Sequence, residues 1–281
     1  KGRVPGEDAE VLHTATAAGL VCLGKTHMSE LAFSGLGLNP VTATPPNRNF
    51  PGVVPGGSSS GAAASVAFGL AAGAVGTDTG GSVRIPAAWN DLVGFKAAHG
   101  RLSLRGIVPL CLRFDVPGPI ARSVEDCALI LAAMEGAAAP DLEGASVRGA
   151  RLAVLETVAL DELREAPGIG FETAADRLAR AGARVERLRA PEVAEAMALA
   201  PQVFTAEAYG LWREVIEGDP GRMYARILER FRMGGSVTAA AYVAAWRRLE
   251  ALREVWAARV AGYDAVILPT SPILPPDAAR L

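Results

Sequence analysis

Serines set between glycines are the residues of this chain whose types and spacing best suit chemistry. Three of them lie in the run Gly-Gly-Ser-Ser-Ser-Gly at 56–61, and a fourth, Ser82, lies in Asp-Thr-Gly-Gly-Ser-Val-Arg-Ile-Pro at 78–86. Glycines allow positive φ and leave backbone N–H groups able to face a ligand. The segment 62–76 is mostly Ala, Gly and Val, which predicts one slim buried helix. We therefore expect the two loops to converge on a site made of hydroxyls and backbone donors.

The position of Ser82 suits nucleophilic attack on an amide. Such an attack needs a nucleophile, a base and donors for the developing oxyanion. The N–H groups of Thr79, Gly80 and Gly81 precede Ser82, and one such donor is typically worth about 2.7–4 kcal/mol in the transition state. Taken singly, each serine is more typical of a turn or a helix cap. The joint pattern, with Ser58 and Ser82 spaced 24 residues apart, favours a catalytic site.

Asp78 and Arg84 flank this loop and are interpreted as supports for it. They could pair with each other or with the backbone. An alternative for Arg84 is bidentate recognition of a substrate carboxylate, which suits the planar guanidinium group.

Two other motif matches are less consistent with their surroundings. Residues 57–61 fit the Gly-x-Ser-x-Gly nucleophile elbow around Ser59, but that fold needs a late histidine, and His99 alone follows. Residues 19–26 fit the phosphate-loop pattern, but a helix precedes the first glycine and residues 20–23 are predicted to form a strand, where the motif needs an exposed loop.

Both serine loops resemble the signature of the amidase signature family, which reads Gly-Gly-Ser-Ser-Gly/Ser-Gly and then Asp-x-Gly-Gly-Ser-hydrophobic-Arg-x-Pro. The similarity continues through Gly-Lys-Thr-His-Met-Ser-Glu at 24–30, Gly-Phe-Lys-Ala-Ala-His-Gly-Arg at 94–101, Gly-Pro-Ile-Ala-Arg-Ser-Val-Glu-Asp at 118–126 and Ile-Leu-Pro-Thr-Ser-Pro at 267–272. It covers most of residues 8–135 and, more weakly, the rest of the chain.

The resemblance implies a role for each serine. Ser82 is expected to be acylated, with Thr79, Gly80 and Gly81 as the oxyanion hole. Ser58 is expected to relay the proton from a position within hydrogen-bond reach of Ser82, held there by a cis Gly57–Ser58 peptide. Ser59, Asp78 and Arg84 are expected to support the site. The final base is a lysine, a variant of the serine triad, whose pKa must fall from about 10.4 to near 7.

The lysines of this chain depart from the family pattern. The family's catalytic lysine lies in a segment of the type Pro-hydrophobic-x-x-Lys-Asp, and none of Lys1, Lys25 and Lys96 lies in such a segment. We therefore expect a fragment, shortened at both ends, that is inactive alone. We also expect no lysine amine of this chain within about 3.2 Å of Ser58, the reach of a working base.

Composition limits the partners. A net charge of −2 gives no electrostatic footprint for nucleic acid, and the longest uncharged run, 61–77, is shorter than the roughly 20 residues of a membrane span. Cys22, Cys111 and Cys127 lie in apolar surroundings without paired spacing, which indicates reduced, buried thiols. We expect a cytoplasmic protein that binds a small amide, with no metal or cofactor and with a homodimer as one assembly to consider.

The predicted fold is α/β, with a mixed, partly parallel central sheet covered by helices on both sides. We expect a single domain over 1–281, made of a signature core at 8–135, a surface connection at 136–150 and a second half at 151–281. Helices are predicted at 8–18, 123–135 (with Ser123 as N-cap), 171–181, 194–216, 223–231 and 238–260, strands at 20–23, 92–95, 151–158, 183–188 and 265–268, and loops at 34–55 and 102–119.

The predicted function is hydrolysis of a carboxylic amide through a serine acyl-enzyme. Two alternatives stay open. One is an amidotransferase A-type subunit that supplies ammonia for tRNA-dependent amidation. The other is a relative that keeps the loops and binds a ligand without turnover.

Overall fold

The computed structural model describes residues 5–281 and confirms the α/β class. Its helices are α1 Glu10–Ala17, α2 Ser60–Ala67, α3 Arg84–Trp89, α4 Val124–Glu135, α5 Glu165–Arg180, α6 Pro191–Gly218, α7 Ala225–Met233 and α8 Ala239–Val260. Its strands are β1 Gly73–Asp78, β2 Val93–Gly94, β3 Val116–Ala121, β4 Arg151–Leu155, β5 Arg184–Leu188 and β6 Ala265–Ile267. The strands form two three-stranded sheets, one antiparallel and one parallel.

The chain divides into two compact units. Unit 1 contains the described residues up to Leu142, together with Glu207–Arg232 and Pro275–Leu281. Unit 2 contains Glu143–Ala206 and Met233–Leu274. Both serine loops belong to unit 1, so the geometry of the candidate site is contained there. The single domain with a connection at 136–150 stays a prediction.

The sheet of unit 1 places β3 between β1 and β2, with both pairs antiparallel. All six residues of β3 are buried. In the β1–β3 pair, the register runs from Gly73 opposite Ala121 to Asp78 opposite Val116. The ends of these two strands therefore bring the loop after Asp78 beside the loop before Val116.

Helix α2 is the slim buried helix that the small residues predict. Ala62 and Ala63 pack with Val83, Ala87 and Ile120 in one apolar cluster. Side chains of this size allow the helix backbone to approach closely. The helix is shorter than predicted because it ends at Ala67 and the chain then forms β1, whose backbone groups pair with β3.

The predicted N-cap of α4 is confirmed. The Asp126 N–H donates to Ser123 Oγ at 3.0 Å. Helices α1 and α4 share an apolar cluster that includes Val11, Leu131 and Met134. This cluster forms part of the core of unit 1.

Several local predictions are wrong. Residues 20–23 form no strand, since they pair with no described strand, and Val21 and Leu23 are exposed. Cys22 is exposed as well, whereas Cys111 and Cys127 are buried. The segment 102–119, predicted to be a loop, contains the start of β3. Two prolines in this strand are typical of a loop and led to the wrong prediction.

Unit 2 contains the parallel sheet, in the order β5-β4-β6. Four of the five residues of the central strand β4 are buried, which is typical of a parallel strand. Helix α5 begins at Glu165, before its predicted start at 171, and α8 lies within one residue of its predicted range.

Candidate active site

A buried carboxylate organises the Ser82 loop. Asp78 is fully buried and accepts hydrogen bonds from the N–H groups of Gly81 at 2.8 Å and Val83 at 3.1 Å. The sequence explains the turn, because Gly81 adopts φ 120°, a conformation that side chains rarely allow. Asp78 therefore fixes the backbone on both sides of Ser82.

Arg84 also binds the Asp78 carboxylate, and we call this pair and the N–H groups bound to Asp78 the anchor of the Ser82 loop. The Nε and Nη2 of Arg84 donate to the two oxygens of Asp78 at 2.9 and 2.8 Å. Burial alone would raise the pKa of Asp78, but the bonds and charge of Arg84 and the N–H donors outweigh burial and lower it. The bidentate pair supports the first interpretation of Arg84, as a structural partner of Asp78.

Ser59 joins the two serine loops. Its N–H donates to the carbonyl of Ser82 at 3.2 Å. Its hydroxyl bridges the backbone of Thr77, accepting from the N–H at 3.2 Å and donating to the carbonyl at 3.3 Å. Among residues 5–58 no strand precedes Ser59, whereas a nucleophile elbow requires one. Through these contacts Ser59 holds the start of α2 against β1 and the Ser82 loop.

Ser58 lies at the bend between the loop and α2. The Gly57–Ser58 peptide is cis, which is the geometry that the resemblance implies. The Ser58 side chain is fully buried, and its Oγ has no hydrogen-bond partner among residues 5–281. The predicted Ser58–Ser82 hydrogen bond is therefore not formed in this structure. What the structure does bring together are the loops that carry the two hydroxyls.

Neither described lysine serves Ser58. Lys25 is exposed, and Lys96 donates through Nζ to the Ala97 carbonyl at 2.9 Å. Burial lowers the pKa of Lys96. Ser58 Oγ bonds to neither of these two lysines, and Lys1 lies outside the described residues.

The three predicted oxyanion donors are not equivalent. The Gly81 N–H already donates to Asp78 in this structure, and its place in the oxyanion hole stays a prediction. Within the described chain, the N–H groups of Thr79, Gly80 and Ser82 form no hydrogen bond. These three N–H groups, which lie on either side of Gly81 in the loop, are able to donate to a ligand.

Sequence reasoning missed Asp115. This residue immediately precedes β3, is 4% exposed and accepts the Thr79 hydroxyl at 2.6 Å. The two residues are 36 positions apart, and no motif of the sequence links them. Only the β1–β3 register predicts their contact.

Two buried asparagines that the sequence analysis did not select fix the long loop at 34–55. Asn90 Nδ2 donates to the carbonyls of Pro55 and Pro86 at 2.7 and 2.8 Å. Asn47 Nδ2 donates to the carbonyls of Val54 and Trp89. The residues preceding Ser58 are thereby tied to α3, which follows Ser82.

An open cavity of about 390 Å³ lies beside α2. It is lined almost entirely by apolar atoms, and neither Ser58 nor Ser82 lines it. His27 lines this cavity, and its carbonyl accepts the Gly61 N–H at 2.8 Å. No group of three metal-binding side chains occurs within the described part of the chain, and none of its helices is long and apolar enough for a membrane span.

The fold and the two serine loops define an amidase-type protein. The family model described as Amidase matches residues 1–281, so the chain belongs to the amidase family. It is 35% identical over 270 residues to 2-amino-5-chloromuconic acid deaminase of Comamonas testosteroni, covering 93% of this chain and 58% of that protein. It is 47% identical over 129 residues to the glutamyl-tRNA(Gln) amidotransferase A subunit of Cupriavidus taiwanensis, covering 46% of this chain and 26% of that one.

Solved structures are similar along nearly the whole chain. A crystal structure of an amidase aligns with a TM-score of 0.91 at 30% identity, covering 98% of this chain and 62% of the other. The glutamyl-tRNA(Gln) amidotransferase A subunit of Thermotoga maritima aligns with a TM-score of 0.83 at 30% identity, covering 98% and 63%. The chain thus spans less than two thirds of the length of these relatives.

Proposed function

We propose that this chain provides the serine site of an amide hydrolase in which Ser82 forms the acyl-enzyme. One observation carries the proposal above others. The hydrogen bond from the Ser59 N–H to the Ser82 carbonyl joins two loops whose serines are far apart in sequence. A turn or helix cap explains each serine alone, but it does not explain why the two loops are bound to each other.

In the proposed reaction, Ser82 Oγ attacks the carbonyl carbon of the amide. The oxyanion accepts from the unbound N–H groups of Thr79, Gly80 and Ser82. The proton of Ser82 passes to Ser58 and on to a base, and it then returns to the amide nitrogen as the C–N bond breaks. Water next attacks the acyl-enzyme, which releases the carboxylic acid and restores Ser82.

The relay step requires the hydroxyls of Ser58 and Ser82 to approach when substrate binds. Catalytic hydrogen bonds are often long without substrate and shorten in the reacting complex. The buried, unpartnered Ser58 Oγ supports this role, because a hydroxyl without a partner loses hydrogen-bond energy that a relay contact restores. The resemblance assigns the final base to a lysine, and neither Lys25 nor Lys96 fills that role in the described structure.

Covalent labelling tests the nucleophile. The full-length protein is treated with a fluorophosphonate, and the modified residue is mapped by mass spectrometry in the parent and in Ser82→Ala and Ser59→Ala variants. We expect the adduct on Ser82, its loss in Ser82→Ala, and its retention in Ser59→Ala. An adduct on Ser59 with Ser82 unmodified would contradict the proposal and favour the elbow interpretation.

Ammonia supply to a tRNA-dependent partner is the second candidate. It is favoured by the identity of 47% over 129 residues to an amidotransferase A subunit, which is higher than the 35% over 270 residues to the deaminase. Glutamine hydrolysis that rises when the other amidotransferase subunits are added would support it. Hydrolysis of small amides by the protein alone, with no response to those subunits, favours the amidase.

The ligand-binding alternative predicts saturable binding of an amide without release of ammonia or acid.

A cytoplasmic location, a homodimer and a small-molecule amide as substrate complete the proposal. Gel filtration with light scattering tests the assembly, and a panel of aryl and amino-acid amides tests the substrate class.

A further inference from the structure

Thr79 and Asp115 meet where strands β1 and β3 of unit 1 adjoin at one edge of the sheet. Thr79 is the first residue after β1, and Asp115 is the last residue before β3. The final pair of the ladder, Asp78 opposite Val116, places them side by side. Thr79 Oγ1 donates to Asp115 Oδ1 at 2.6 Å.

The Asp115 carboxylate also closes the loop that precedes β3. It accepts from the N–H of Leu110 at 2.8 Å and from the N–H of Cys111 at 3.1 and 3.2 Å to its two oxygens. The Asp115 N–H donates back to the Cys111 carbonyl at 2.8 Å. Every group that contacts this carboxylate is a donor, which suits an ionised carboxylate that only accepts.

We propose that Asp115 is a positioning residue of the oxyanion hole, which it serves by holding Thr79. The inference rests on the proposed function. Gly80 and Gly81 follow Thr79, so the backbone of this loop has unusual conformational freedom. Asp78 holds the end of the loop at Gly81, and Asp115 holds the end at Thr79. The donor N–H groups of Thr79 and Gly80 lie between these two fixed points.

The charge of Asp115 is compatible with this role. Burial raises its pKa and nearby Glu207 also raises it, while the bonds from Thr79, Leu110 and Cys111 oppose that rise. The pKa of Asp115 lies above its ordinary value, and the neutral donors around the carboxylate lessen that rise, so its effect on the oxyanion is exerted through the position of the Thr79 backbone. The neighbouring Cys111 thiol donates to Glu207 at 3.1 Å.

A pair of conservative variants tests the inference. Thr79→Val removes the hydroxyl and keeps the shape, and Thr79→Ser keeps the hydroxyl. The readouts, taken on the full-length protein, are the rate constant of fluorophosphonate labelling at Ser82 and, on an amide substrate, kcat and KM. Displacement of catalytic groups by 1 Å can cost about 100-fold, so we expect Thr79→Val to lower kcat and labelling by about 10- to 100-fold. KM should stay within about twofold, because the loss falls on the transition state.

Rescue separates positioning from general structural support. Thr79→Ser should keep the labelling rate within about threefold of the parent, since it keeps the donor to Asp115. Thr173→Val is the matched control, because Thr173 makes an exposed bond to the Ile169 carbonyl within a helix of unit 2. It should label at the parent rate.

A double-variant cycle then assigns the effect to the pair. Asp115→Ala and the combination Thr79→Val with Asp115→Ala should label at about the same rate, because the bond is already lost in each. Active-site titration gives the concentration of folded protein in each preparation. If Asp115→Ala does not fold, the comparison of Thr79→Val with Thr79→Ser still tests whether the Thr79 hydroxyl positions the loop. Labelling of Thr79→Val at the parent rate would overturn the inference and leave the proposed function standing. Absence of labelling at Ser82 in the parent would instead contradict the proposed function.

Discussion

Replacing Asp78 with asparagine should loosen the whole Ser82 loop. Asp78 is fully buried and binds Gly81, Val83 and Arg84 with two acceptor oxygens. Asparagine keeps one acceptor oxygen and replaces the other with an NH₂ group. If its oxygen faces Gly81, its NH₂ faces the Val83 N–H and the Arg84 side chain, which are themselves donors.

The size of the effect follows from the donors that lose their acceptor. A buried N–H without a partner costs about 1–3 kcal/mol, which applies in full to Val83. The Arg84 side chain is 45% exposed and can turn to water, so its loss counts for less, about 1 kcal/mol. Together these terms give a loss of about 2–4 kcal/mol in the free energy of unfolding.

The pH dependence supplies an independent check. The folded pKa of Asp78 lies below its ordinary value of 3.8. Its charge therefore stabilises the fold fully above that value, and this contribution is lost as the pH falls through the folded pKa. The difference in unfolding free energy between Asp78→Asn and the parent should be constant near neutral pH and should shrink below 3.8.

Urea denaturation followed by circular dichroism, at neutral pH and at several acid values, measures this difference. Asp176→Asn is the matched control, because Asp176 is 70% exposed and pairs with Arg180 on the surface at 3.7 Å. It should change the free energy of unfolding by less than about 0.5 kcal/mol. Equal stability of Asp78→Asn and the parent at neutral pH would refute the anchor.

Three further outcomes are expected. Gly61→Ala should destabilise the protein by about 1–3 kcal/mol, because the new Cβ would lie 2.5 Å from a backbone nitrogen. Gly210→Ala should not destabilise it, since no atom lies within 4 Å of the new Cβ, and urea denaturation of both variants measures the difference. Ser123→Ala should cost about 1 kcal/mol through loss of the N-cap, and an unchanged thermal midpoint would contradict that role. A thiol reagent should modify Cys22 in the native protein and Cys127 only on unfolding, since burial raises the pKa of Cys127 to about 11; fast native reaction at Cys127 would show that its site is open.

The amino-acid sequence by itself determined the class of protein and which serines are the candidates for catalysis. Glycines around Ser58 and Ser82, and their fixed spacing, are local features that need no knowledge of the fold. The N-cap at Ser123 is equally local, because a cap bonds to a residue three positions along the chain. Long helices such as α8 were predicted well, since apolar residues at helical spacing along it, Trp246, Leu249 and Leu252, are buried.

Short strands were predicted less well, because a strand is defined by its partner. Residues 73–78 look like more of the small-residue helix, and β3 at 116–121 looks like a loop because of its prolines. Each is a strand only because the other lies beside it. Residues 20–23 have the composition of a strand but lack a described partner, so their backbone forms no ladder.

Tertiary structure alone decided which polar groups serve the site and which serve the scaffold. The Gly81 N–H, a predicted oxyanion donor, is bound by Asp78, and the Ser59 hydroxyl is bound by β1. Asp115 reaches Thr79 across 36 residues of chain because the register of β1 and β3 brings their ends together. A hydrogen bond depends on the positions of both partners, and for distant residues those positions exist only after the sheet has formed.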